Sequence, residues 1–302
     1  MHWNEAHRVA MIAAAEAQED LALNTFQRIE VFDAMSAANL KVIFRKLEGC
    51  AALYLPASLG GRPGAILNAS HPLALQRYSG AHEFGHHVFD HGGRVDRDTE
   101  PRRARGELSV EEKLAEAFAA WFLMPPEAVE PALDRLGRKQ PQSPLDAYAL
   151  ALRLGTSFRA MCVHLASLKL LGSAAATSWS ETPLKSIKQQ LTANSPQGGW
   201  RSDVWLLSGA DADSQLVPRC GDRLLLDLAG WDVETLPPGT RGELLAANDL
   251  LTPPRWQIDL SPDMDSGPAT LVLRQDGRSL DLRLMVERPR VGLFVPTQGV
   301  AV

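Results

Sequence analysis

GAHEFGHHVFDH, residues 80–91, holds four of the chain's eight histidines. Two of them, His82 and His86, lie four apart, with Glu83 directly after the first. On a helix, residues four apart share a face, so both imidazoles can point at one ion. Glu83 is turned by about 100° from His82 and reaches the same neighbourhood without ligating. H-E-x-x-H on a helix supplies two zinc ligands and a general base for a water molecule. Such a site needs a third protein ligand and an open fourth position. The next helix downstream offers Glu111, Glu112 and Glu116. Glu112 and Glu116 share a face with Ala115, whose small side chain lets two helices pack closely. Glu112 is the expected third ligand. Glu116 is expected to accept a hydrogen bond from the other ring N–H of a ligand histidine and so fix its tautomer. His87 is expected to face away from the metal and His91 to cap its helix C-terminus. His71, before Pro72, reads as a turn residue.

Outward from that stretch, residues 4–22 and 33–40 carry apolar positions at helical spacing. KVIFRKL (41–47) and AALYLP (51–56) read as short strands around a turn at Glu48 and Gly49, and AILNAS (65–70) as a third. The histidine helix runs from about Leu73 to His91, and 91–107 reads as a charged loop. Ser109 caps the following helix, with Glu112 as capping-box partner, and Pro125-Pro126 ends it. Residues 143–155 and 157–172 form two helices around Gly155, the outline of a helix-turn-helix. Residues 173–200, rich in small and polar types, read as a linker with a short helix at its centre. From about 201 the alternation turns to period two, with Asp276-Gly277 as a hairpin turn. The expected class is therefore α+β, with four parts: 1–142, the helix pair 143–172, the linker 173–200, and a β-sandwich-like domain at 201–302. Trp200, Trp205, Trp231 and Trp256 are expected core anchors of that last domain.

The chain of 302 residues is 45% hydrophobic and 22% charged, enough to bury a substantial core. Its net charge of −5 argues against a whole-surface grip on nucleic acid. Three widely spaced cysteines make no disulfide framework and fit a reducing cytosol. MHWNEAHRVAMIAAAEAQED reads as an amphipathic helix and not an export signal. No apolar run approaches the roughly 18 residues of a membrane span, so a cytoplasmic protein with no membrane partner is expected.

RYSGAHEFGHHVFDH followed by EKLAEAFAAWFLMP resembles the ImmA/IrrE family of metallopeptidases. Glu112, Ala115, Phe118, Ala119, Leu123 and Pro125 match its second motif, and Glu116 stands where the family has Asn or Asp. The resemblance spans roughly 1–172. It implies a zincin-like metallopeptidase domain with Zn2+ held by His82, His86 and Glu112, and Glu83 as catalytic base. It also implies a regulatory endopeptidase that cuts a helix-turn-helix repressor and so releases stress, DNA-damage or phage-defence genes.

Regulation has two candidate sites. Arg102 and Arg103, in the charged loop, are candidate phosphate contacts for single-stranded DNA as an activator, although the acids around them can simply neutralise them. Cys50, at a turn between strands expected to flank the cleft, is a candidate inhibitory thiol for the open zinc position, against the plainer reading of a buried small apolar residue. The second helix of the pair offers Arg159, His164 and Lys169 as cations, and a structural or docking role is favoured for it. The competing function is a non-enzymatic DNA- or protein-binding regulator with a structural zinc site. Such a site needs no base at Glu83.

Overall fold

A computed structural model describes residues 1–59, 61–92, 94–96, 108–192, 202–245 and 255–296. In chain order its elements begin with α1 (Trp3–Asp20), α2 (Val31–Ala37), β1 (Lys41–Arg45), β2 (Ala52–Leu55), β3 (Gly64–Asn68), α3 (Leu73–Val88), β4 (Arg94–Asp96) and α4 (Val110–Leu123). Then come α5 (Pro126–Arg135), α6 (Pro144–Leu154), α7 (Phe158–Ser167), α8 (Ser173–Ser180) and α9 (Leu184–Leu191). The strands that follow are β5 (Val204–Leu207), β6 (Gln215–Leu216), β7 (Arg223–Leu226), β8 (Asp232–Thr235), β9 (Thr240–Leu245), β10 (Arg255–Leu260), β11 (Gly267–Gln275), β12 (Arg278–Val286) and β13 (Gly292–Leu293). The class is mixed α and β. Among the described residues no helix is long and apolar enough to cross a membrane. The residues divide between two compact units, one within Met1–Pro131, Leu154–His164 and Pro289–Val302, the other within Ala132–Arg153 and Leu165–Arg288.

The first unit is built on a five-stranded sheet in the order β13-β1-β3-β2-β4. β1 and β3 run parallel in register Ile43↔Ile66, and β2 is antiparallel to β3. The strands read from sequence around the Glu48–Gly49 turn are therefore not neighbours, because β3 lies between them. The tail adds a further pairing: β13 joins β1 antiparallel, Ile43 opposite Leu293. Residues 292–293, read from sequence as part of the C-terminal β domain, thus complete the first sheet.

Helices α1 and α4 pack together, as do α3 and α4. On α1 the buried stripe is Ala6, Ala10, Ala14 and Ala17, at helical spacing. Phe84 of α3 meets Phe118 and Phe122 of α4 edge-on, with ring centroids 5.6 and 5.2 Å apart. Gly85 permits that closeness, since a Cβ there would stand 3.1 Å from the Cα of Ala115. Arg77, fully buried, pins the start of α3: its Nε donates to the Gly155 carbonyl at 3.0 Å and its Nη1 to Glu30 at 3.1 Å. Gly155 turns at φ +64°, and a side chain there would collide with the guanidiniums of Arg28 and Arg77. His164 of α7 is buried, not a surface cation, and its Nε2 bonds the Met124 carbonyl at 2.9 Å.

The second unit carries two four-stranded sheets, β5-β7-β10-β9 and β6-β12-β11-β8. Their inner faces share one apolar core, with Trp205, Leu224 and Ile258 from the first sheet and Leu271, Leu273 and Leu282 from the second. Trp231 and Trp256 pack against that core, while Trp200 lies outside the described residues. Asp276 and Gly277, both at positive φ, close the β11–β12 hairpin. The described part of 173–200 holds two helices, α8 and α9, where a linker with one short helix was expected. Lys188 of α9 pairs with Asp203 at 3.0 Å, which ties that helix to the start of β5. Asp203 also accepts from the Tyr148 hydroxyl at 3.1 Å and from Arg219.

Candidate metal centre

His82 and His86 project from the buried face of α3, and Glu112 comes from the first turn of α4. The start of α4 is fixed by Ser109, whose hydroxyl accepts the Glu112 N–H at 3.2 Å. That is one half of the expected capping box. The Glu112 carboxylate goes to the histidines: Oε2 is 3.3 Å from His82 Nε2 and Oε1 is 3.5 Å from His86 Nε2. The two Nε2 atoms are 3.1 Å apart. Among the described residues this is the one group of three such side chains able to hold a metal.

The spacing can be tested against an ion. Tetrahedral zinc with bonds of about 2.0–2.1 Å sets its donors roughly 3.3–3.4 Å apart. The two Nε2 atoms stand 3.1 Å apart, and each has a different Glu112 oxygen close to that value, Oε2 at 3.3 Å and Oε1 at 3.5 Å, so the carboxylate faces both rings. Two imidazoles and one carboxylate are also an ordinary zinc donor set, so the residues fit the group. His82 and His86 are buried and Glu112 is partly exposed, so the triad opens toward solvent on the glutamate side. Glu83, one residue after His82, has no exposed surface.

The surroundings hold these three side chains in place. Glu116, one turn beyond Glu112, brings Oε2 to 3.7 Å from His82 Nδ1. That is ion-pair range and longer than a hydrogen bond. Its other oxygen accepts the Tyr78 hydroxyl at 3.1 Å, so the longer side chain serves two neighbours. Tyr54 of β2 lies nearly parallel to the His86 ring, at 6.4 Å and 16°, and its hydroxyl meets His87 Nδ1 at 3.1 Å. Burial, then the charges of Asp90 and Glu83, push the Tyr54 hydroxyl above its usual range. Burial pushes the His87 ring below its usual range, against the opposing charge of Asp90.

Of the remaining candidates, Cys50 directs its Sγ to the Ala52 carbonyl at 3.0 Å and is not part of the clustered donors. Arg102 and Arg103 lie outside the described residues. His91 sets its ring against His86, with the two Nδ1 atoms 2.8 Å apart, where a helix cap was expected. Tyr54, Tyr78 and His91 were not read from the sequence as parts of the site. Only His91 left a local signal, five residues beyond a ligand across a helix end.

Residues 35–166 match the family model of the IrrE N-terminal-like domain, Peptidase_M78. No curated protein matches the chain.

Proposed function

Residues 35–166 form a peptidase-family domain of the ImmA/IrrE family, and on that premise we propose that the protein is a zinc-dependent endopeptidase. The observation that carries the reading is the mutual spacing of His82, His86 and Glu112 beside the buried Glu83. Zinc bound there supplies a lowered water pKa, toward ~7, and polarises the scissile carbonyl. Glu83 accepts the proton of the attacking water as the new C–O bond forms, then delivers it to the amine as the C–N bond breaks. A buried carboxylate on the residue next to a ligand suits that shuttle, and a purely structural metal site has no use for it. His82, Glu83, His86 and Glu112 are thus the proposed machinery on a zincin-like domain, with Glu116 and Tyr78 supporting His82.

The proposed substrate is a helix-turn-helix transcriptional repressor, cut at one site in the cytoplasm to release stress, DNA-damage or phage-defence genes. Single-stranded DNA acting through Arg102 and Arg103 is the proposed stimulus. The family resemblance supports the substrate reading, and the arginines of the 91–107 stretch in the sequence support the stimulus. The test is to mix the purified protein with the helix-turn-helix protein encoded beside it, with and without single-stranded DNA. Defined fragments that disappear with Glu83→Gln support the reading. Fragments that persist in that variant, or none from a zinc-loaded protein under either condition, overturn it.

A further inference from the structure

Helix α3 ends in a hydrogen-bonded reversal that does more than stop it. Asp90 sits at φ +51°. Its N–H bonds the His87 carbonyl at 3.1 Å, and the His91 N–H bonds the His86 carbonyl at 2.9 Å. These are the paired bonds of a Schellman motif, with Asp90 in the left-handed position. The second bond ties residue 91 to residue 86 and brings their rings to 5.0 Å, with the Nδ1 atoms 2.8 Å apart. Contact at that distance needs one nitrogen to donate and the other to accept.

Which one donates follows from the other end of the His86 ring. Its Nε2 faces His82 and Glu112. A neutral imidazole that offers Nε2 to a metal carries its proton on Nδ1. His86 Nδ1 therefore donates and His91 Nδ1 accepts. We infer that His91 is a positioning residue, holding His86 in the tautomer and orientation that ligate; this rests on reading His82, His86 and Glu112 as a metal site. The acceptor is itself held, since His91 is nearly buried and stacks on Phe89 at 5.5 Å and 20°. Tyr54 lies parallel to the His86 ring as a further neighbour.

The test compares the full-length native protein with His91→Leu, which removes the acceptor, and His91→Asn, whose Oδ1 falls near the place of Nδ1. Zinc affinity is read by competition with a chelator, and ligand-field absorption is read after loading with cobalt(II). His91→Leu is expected to weaken zinc binding by roughly 10–100-fold and to shift the cobalt bands. His91→Asn is expected to restore both. Native affinity and bands in His91→Leu overturn the inference, as does an asparagine variant no better than the leucine one. If His91→Leu shows no thermal transition, His91→Phe takes its place, which also removes the acceptor while keeping a ring against Phe89, and the same outcomes decide. His86→Ala separates the two readings. A native protein whose zinc uptake survives His86→Ala, or which takes up none, overturns the site and the inference together. Uptake lost in His86→Ala but native in His91→Leu overturns the inference alone.

Discussion

Adding one methyl group at Gly85 should loosen the metal centre although it improves the helix. Alanine is favoured over glycine inside a helix by about 1 kcal/mol, so local propensity predicts that Gly85→Ala stabilises. Packing predicts the opposite. The new Cβ would stand 3.1 Å from the Ala115 Cα, 3.1 Å from Phe118 Cδ1 and 3.2 Å from Phe118 Cβ. Carbon contacts settle near 3.5–4.0 Å, so α3 and α4 must separate by roughly 0.5 Å. Ala115 Cα is backbone and cannot rotate aside, and Phe118 is locked between Phe84 and Phe122. Overpacking of this kind costs about 1–3 kcal/mol, which meets or exceeds the propensity gain. The separation also acts on the site, because the histidines ride on α3 and Glu112 on α4. Contacts of 3.3 and 3.5 Å would stretch toward ~4 Å, wider than donors around one zinc ion. Thermal unfolding and zinc competition check both consequences. Gly85→Ala should melt below the native protein and bind zinc roughly tenfold more weakly. A higher melting temperature with native zinc affinity would refute the packing argument.

Three further outcomes follow from buried groups. Burial holds His164 down to about 4, below the ~6.5 of an unfolded histidine, so the unfolded chain binds the extra proton first. Its contribution is complete above pH ~6.5 and is lost as pH falls toward 4, on the order of 3 kcal/mol. Denaturant melts of native and His164→Gln across that window should converge at low pH, and parallel curves would sink the argument. Asp203→Ala removes the carboxylate shared by the buried Lys188, Arg219 and the Tyr148 hydroxyl and should cost about 3–5 kcal/mol, whereas Asp134→Ala, at the exposed pair with Lys139, should cost under about 1 kcal/mol; equal losses in urea melts would contradict this. Asp276→Val puts a β-branched residue at φ +47° and should cost about 1–2 kcal/mol, while Asp276→Asn should be nearly neutral; a valine variant as stable as native would show the turn is not held at that angle.

What the sequence made legible is what one turn of chain decides. His82 and His86 share a face because of the helical repeat, and Ser109 caps α4 because its hydroxyl reaches Glu112 three residues on. Pro125-Pro126 and Asp276-Gly277 punctuate through their own backbone limits. The reach of Glu112 to the histidines was legible too, since it needed only two acids at helical spacing and a small residue between them. What stayed hidden is set by partners distant in sequence. Strand β3 enters between β1 and β2, and β13 returns to β1 from the far end of the chain; neither has a composition different from any other short apolar run. His91 falls between these cases. Its position depends on six residues only, but Asp90 occupies the left-handed place usually taken by glycine. Without glycine as a marker, the helix reads as running on to His91, with the His91 ring as its C-terminal cap. A side chain brought back onto a ligand by the end of the ligand's own helix is thus a local feature that leaves a weak local sign. The same reversal gives a fourth histidine in a twelve-residue stretch a place against His86, outside the group of His82, His86 and Glu112.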